Sequence, residues 1–326
     1  MKIWTIVKKI QGLHRGLQAD LETNNKKNIR YFLFLLIDKM FRLSKKIVLK
    51  CIYYYRYMTW VYDYYFILSK NRDSSSIKYD ISYFENKKIV SIIPHADDEL
   101  FGGFNFYKKV KKNLNFLYFG LSGGIPAEDI NQIRLNEFDS LCIEEGFEFV
   151  HIIDPLVDLA NHIDESIDII MLPSYVDWQP DHRLVNDIVI EYLKKSKLNP
   201  EIMLYNITVP ISIQFVNYIH PMCKKEQKHK YAMFDKFYRS QSFMSTKRFV
   251  FQEKINGSLL KKYAGERFCV LELNRYIAFV NDIRYNIGDV VLKNLLYAIN
   301  DILKIHTLSS SLYSKVQFNQ NNMIGE

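Results

Sequence analysis

The chain has 326 residues, 48% hydrophobic and 25% charged, with 44 Lys+Arg against 36 Asp+Glu. That length allows one large domain or two ordinary ones with a real core, and 12 Gly and 8 Pro exclude fibrous and disordered classes. Four widely separated cysteines (Cys51, Cys142, Cys223, Cys269) exclude a disulfide scaffold or a Cys-based zinc site and suit a reducing compartment.

The basic excess is local. Residues 1–88 hold 18 Lys+Arg and 7 Asp+Glu, while the other 238 hold 26 and 29. Met1 to Gly12 has no apolar core or small-residue cleavage site, so no signal peptide is expected. The apolar run from Tyr31 to Ile37 stops at Asp38, too short to span a bilayer, and a cytoplasmic protein is expected. Asn28 to Lys50 reads as a helix with apolar Phe32, Leu35, Leu36, Met40 and Leu43 between cations. Seven Tyr, one Trp and one Phe follow between Cys51 and Phe66. Two readings stay open for residues 1–70: an extension whose aromatic stripe packs on the next domain, or contact with an anionic membrane surface. Nucleic acid is not expected as a partner, because the rest of the chain is acidic and carries none of the usual binding motifs. Asn71 to Ser76 reads as a linker.

Strands and helices then alternate. Strands are predicted at Lys88–Ile93, Asn115–Phe119, Phe147–Ile153, Ile167–Leu172 and Glu201–Ile207. Helices are predicted at Glu99–Lys112, Ala127–Gly146 (with Gly146 as its C-cap) and Asp181–Lys195. This order predicts an α/β fold, a Rossmann-like, doubly wound and mostly parallel sheet that binds ligands off the carboxyl ends of its strands. Past Pro221 a charged helix from Lys224 to Arg239, a short strand around Cys269 and a helix from Gly288 to Lys304 are expected.

The chemistry follows the first and fourth strands. Pro94-His95-Ala96-Asp97-Asp98-Glu99 sets one imidazole beside three carboxylates at a strand end. His95 and Asp98 can face one cation across a strand-to-helix turn, with Asp97 pointing elsewhere. A third ligand is available from Trp178-Gln179-Pro180-Asp181-His182 after the fourth strand. Two His and one Asp leave a position open for water, a catalytic zinc pattern. Two other readings remain: an acidic helix N-terminus, and a Mg²⁺ or Mn²⁺ carboxylate site of the nucleotide-sugar glycosyltransferase kind. His151, His162, His220 and His229 read as surface or core residues.

Pro94–Glu99 resembles the His-x-Asp-Asp-Glu signature of the LmbE-like, or PIG-L, zinc-dependent N-deacetylases. Gln179-Pro180-Asp181-His182-Arg183 resembles the family's second motif, usually His-Pro-Asp-His-Arg. Ser122-Gly123-Gly124, Arg134-x-x-Glu137, Lys230, Ser240-Gln241 and Ala264–Phe268 are weaker echoes. The resemblance implies an LmbE-like catalytic domain over 87–285, after the 1–86 extension and before a C-terminal helix and polar tail at 286–326. It implies one Zn²⁺ per chain held by His95, Asp98 and His182, with Asp97 as general base. Arg134, Ser122 and Gly123 would contact an N-acetylated sugar substrate. Gln179, in place of the usual His, can donate a hydrogen bond to an oxyanion but carries no proton, which implies a slower or catalytically weakened enzyme. Asp181 would either orient His182 or cap its helix.

Overall fold

The computed structural model describes residues 29–70, 77, 80–121, 128–242, 244 and 246–316. The chain divides into two compact units at Thr59/Trp60. Helix α1 runs over Ile29–Lys70, longer than its predicted end at Lys50, because the aromatic run continues the helix. Among the described residues, no helix is long and apolar enough to cross a membrane. The predicted linker at 71–76 lies outside the described residues.

The second unit is built on a seven-stranded sheet of order β3-β2-β1-β4-β5-β7-β6. The strands are β1 (Ile89–Ile93), β2 (Leu114–Tyr118), β3 (Glu148–His151), β4 (Ile169–Pro173), β5 (Glu201–Tyr205), β6 (Tyr218–Met222) and β7 (Ala264–Leu271). β1 to β5 pair in parallel, while β7 runs antiparallel to both β5 and β6. All five residues of β1 and of β4 are buried, as strands covered on both faces must be. Two apolar clusters cover the faces. One gathers Val90, Ile92, Leu172 and Leu204; the other holds Ile93, Phe116, Met171 and Tyr205.

Helix α2 (Asp98–Val110) follows β1, α3 (Glu128–Glu145) follows β2, α4 (Pro155–His162) follows β3, and α5 (Pro180–Ser196) follows β4. Gly146 has φ +65° just past α3, the left-handed conformation expected of its cap. Gly102 in α2 lets the Tyr205 ring come close: a Cβ there would lie 2.5 Å from the ring. The buried Tyr205 hydroxyl then donates to the Ile92 carbonyl at 2.6 Å, tying α2, β1 and β5 together.

The remaining helices are α6 (Lys224–Phe237), α7 (Thr246–Ser258), α8 (Leu273–Asn286), α9 (Gly288–Asn294) and α10 (Ile302–Ser314). Here the structure departs from the sequence reading. α4, β6, α7 and α8 were not expected. The single helix predicted from Gly288 to Lys304 is instead two, because Asp301 accepts from the Lys304 N–H at 2.8 Å and starts α10 afresh. Lys230, on α6, is fully buried between Glu253 (2.7 Å) and Glu266 (2.8 Å).

Candidate metal centre

The carboxyl ends of β1 and β4 bring the two motifs together. Leaving β1, the chain turns so tightly that Asp97 takes φ +102° and Asp98 begins α2. The His95 N–H donates to Asp98 Oδ2 at 3.0 Å, and the Asp98 N–H donates back to the His95 carbonyl at 3.3 Å. On the β4 side, Pro180 opens α5, where a missing N–H costs nothing. That sets His182 in the first turn.

His95, Asp98 and His182 are all buried, and one ligand atom from each lies within 4.8 Å of the others. Among the described residues this is the group of His, Cys, Asp and Glu side chains that can hold a metal ion. Asp98 Oδ2 stands 3.1 Å from His95 Nδ1 and 3.4 Å from His182 Nε2. Ligand atoms bound at about 2.0–2.2 Å around a tetrahedral ion lie roughly 3.3–3.6 Å apart; the 3.4 Å separation falls in that range and the 3.1 Å one just below it. Both ring nitrogens of His182 are buried, and neither makes a well-directed hydrogen bond. A cation at Nε2 would satisfy one of them.

Each histidine also meets a carboxylate through its other nitrogen. His95 Nε2 lies 3.0 Å from Asp181 Oδ2, and His182 Nδ1 lies 3.2 Å from Asp177 Oδ2. Such pairs fix ring orientation and raise ligand basicity. Asp181 thus lies in the first turn of α5 with its carboxylate at His95. Gln179 occupies the cap position without a side-chain cap bond. The residue at His182 is Asp177, which the sequence reading missed. Asp177 is itself held: Oδ1 accepts from the Gln179 N–H at 3.0 Å and lies 3.3 Å from the Thr208 hydroxyl. Its carbonyl accepts from Arg183 Nη1 at 2.7 Å.

Electrostatics follow from burial and these pairings. Burial opposes a charge on His182, but Asp98 and then Asp177 outweigh it and push the imidazole up to about 10. His95 rises for the same reason, burial again being outweighed, by Asp98 and Asp181. Burial would raise Asp98, yet His182 and His95 hold it well below the usual carboxylate range.

Asp97 behaves oppositely. It is buried and raised well above an ordinary carboxyl, first by desolvation, then by Asp98 and Glu99; Gln241 and Arg134 pull it partly back. Burial pushes Glu99 up to about 8 despite its hydrogen bond from the Tyr238 hydroxyl. Gln241 is buried and donates to the Ala96 carbonyl at 2.6 Å, inside the same turn. Asp97 is not one of the clustered side chains.

Arg134 is half-buried on α3, within electrostatic range of Asp97. Glu137 does not pair with it; it accepts from the Ser240 N–H at 2.8 Å and hydroxyl at 2.6 Å. Ser122 and Gly123 lie outside the described residues. Among the described residues no other histidine joins the cluster: His151 meets Asp139, His229 meets Glu145, and His220 is buried beside Tyr218.

No family model and no curated protein matches the chain. Solved structures do. Part of the chain aligns with solved structures that include deacetylases. N,N′-diacetylchitobiose deacetylase from Pyrococcus horikoshii aligns at 18% identity over 61% of this chain and 89% of that one, with a TM-score of 0.45. A conserved protein from Thermus thermophilus aligns at 14% over 56% and 94%, TM-score 0.44. The zinc-inhibited form of teicoplanin deacetylase Orf2 aligns at 11% over 56% and 98%, TM-score 0.43. At these identities and TM-scores no activity, substrate or residue role passes from those proteins to this one.

Proposed function

We propose that the chain is a zinc-dependent hydrolase of the LmbE-like kind that removes the N-acetyl group from an amino sugar. The observation that carries this reading is the convergence of His95, Asp98 and His182 beside the separate, buried carboxyl of Asp97. The first three would hold the ion. A bound zinc supplies Lewis acidity and lowers the proton affinity of a coordinated water to a pKa of about 7. The sugar amide as substrate rests on the motif resemblance of Pro94–Glu99 and Gln179–Arg183.

The chain's own groups then divide the work. Asp177 and Asp181 orient the two imidazoles. Asp97, destabilised as a carboxylate by burial and by Asp98 and Glu99, takes up a proton readily and can pass it to the departing amine. Gln241 steadies its ionised form and Arg134 adds positive potential. Gln179 can donate one neutral hydrogen bond to a developing oxyanion. A charged donor in its place would contribute a further few kcal/mol, so slow turnover is expected. Nothing in the geometry favours the glycosyltransferase alternative.

The test is elemental analysis of the purified protein beside His95→Ala and His182→Ala, with amine release measured on N-acetylglucosamine derivatives. About one zinc per chain, lost together with amine release in both variants, is expected. A protein that binds manganese through Asp97 and Asp98, indifferent to His182→Ala, would overturn the reading.

A further inference from the structure

The segment Lys39–Met58 of α1 combines two features that a helix in water does not need. Lys39, Arg42, Lys45, Lys46, Lys50 and Arg56 are its six cations, and no acidic residue occurs between Lys39 and Tyr62. At 3.6 residues per turn these six fall within a sector of about 140°. Beside that sector, Met40, Leu43, Ile47, Tyr54 and Met58 fall within roughly 60° of one another on the same projection. These five side chains are 54% to 64% exposed. Val48 and Tyr55, also exposed, widen the stripe on the flank farther from the cations. Further along the helix, Trp60, Asp63 and Ile67 are buried. There Trp60 Nε1 donates to the Asn300 carbonyl at 2.8 Å.

We propose that Lys39–Met58 is a docking surface for an anionic lipid bilayer, lying in the plane of the interface with the Met40/Leu43/Ile47/Tyr54/Met58 stripe among the acyl chains. Lys50, Lys39 and Lys46, the cations nearest that stripe on the projection, meet lipid phosphates and carboxylates, their long stems reaching outward from a helix seated at that depth. Charge decides the occupant. A second copy on the same face would bring cation to cation with no acid in the segment to pair them. Nucleic acid would answer the cations and leave the apolar stripe in water. An anionic bilayer covers both. The inference stands apart from the chemistry at the metal cluster.

The full-length protein is mixed with vesicles of phosphatidylcholine containing phosphatidylserine, and with vesicles of phosphatidylcholine alone, and bound protein is measured by sedimentation. Binding to the mixed vesicles, weakening as salt rises, is expected. Each of Lys39→Gln and Lys50→Gln should lower the partition coefficient about fivefold, the equivalent of one interfacial cation. Leu43→Ser with Ile47→Ser should lower it more than tenfold with the charges intact. Both pairs are on exposed positions, so unchanged circular dichroism and unchanged metal content separate lost docking from lost folding. Equal binding to the two vesicle types would overturn the proposal. So would a dimer in solution that Leu43→Ser and Ile47→Ser dissociate, or retention on RNA with no retention on vesicles.

Discussion

Asp177→Asn separates the charge behind His182 from the fold of its loop. The carboxylate is 3.2 Å from His182 Nδ1 and 1% exposed, so solvent screens the pair little. Removing such a partner typically costs 10–100-fold in metal affinity, or about 1.4–2.7 kcal/mol. Deep burial sets the expectation near the upper end. The asparagine keeps an oxygen where Oδ1 accepts from the Gln179 N–H at 3.0 Å, so the turn into α5 survives. Asp181→Asn is the internal comparison. That carboxylate serves His95 at 3.0 Å but is 24% exposed, and a loss nearer tenfold is expected. The assay is competition for zinc against a chromophoric chelator with full-length protein, with urea unfolding in parallel to show that each variant folds. An Asp177→Asn affinity within twofold of the parent, or a larger loss in Asp181→Asn, would refute the reasoning from burial and distance.

Gln179→His should raise the rate of amine release at least tenfold at unchanged zinc content, because a charged donor replaces a neutral one and no cap bond is lost; an unchanged rate would remove Gln179 from the chemistry. Gly102→Ala should destabilise by about 1–3 kcal/mol despite alanine's better helix propensity, since its Cβ would sit 2.5 Å from a Tyr205 ring pinned by its own hydroxyl. A urea midpoint equal to or above the parent's would contradict this. His220 and His306 are both held below the usual imidazole value, chiefly by burial. The unfolded chain therefore binds the proton first, so their contribution is complete above about pH 6.5 and is lost as pH falls below it. Stability measured from pH 7 down to 5 should fall less steeply in His220→Gln and in His306→Gln, and parallel slopes would exclude this cause.

The parallel half of the fold was legible because β1, β2, β4 and β5 are short apolar runs between turns, and all four lie within two residues of expectation. The antiparallel end was not. β6 contains Pro221, which argues against a strand, yet β6 is the outer strand of its edge, where a missing N–H is tolerated. α7 carries no apolar stripe to read: its buried side includes Arg248, Glu253 and Asn256, which are satisfied by partners distant in sequence. Arg248 donates to the Ile299 carbonyl, Glu253 meets Lys230, and Asn256 meets Arg267. α4 did carry a local signal, since Asp154 before Pro155 is a cap followed by a first-turn proline.

At the site, the three clustered groups were readable from residue type and strand order, whereas the carboxylates behind them were not. Asp177 lies in the loop before α5 and Asp181 in its first turn, and only the three-dimensional path of this stretch sends the nearer one in sequence to His95 and the farther one to His182. The turn at Asp97 shows why this stretch had to depart from ordinary helix initiation. In a normal N-cap the side chain would bond the first-turn N–H groups; with φ +102° Asp97 makes no such bond. Its backbone carbonyl does the capping instead, accepting from Leu100 at 3.0 Å and Phe101 at 2.9 Å. A left-handed non-glycine residue costs on the order of 1–3 kcal/mol. The reciprocal His95–Asp98 bonds offset that cost, and they are the same contacts that aim Asp98 at the histidines. The strain thus frees the Asp97 carboxyl from a structural duty and turns the adjacent Asp98 toward the cluster, so that two neighbouring aspartates take up separate positions.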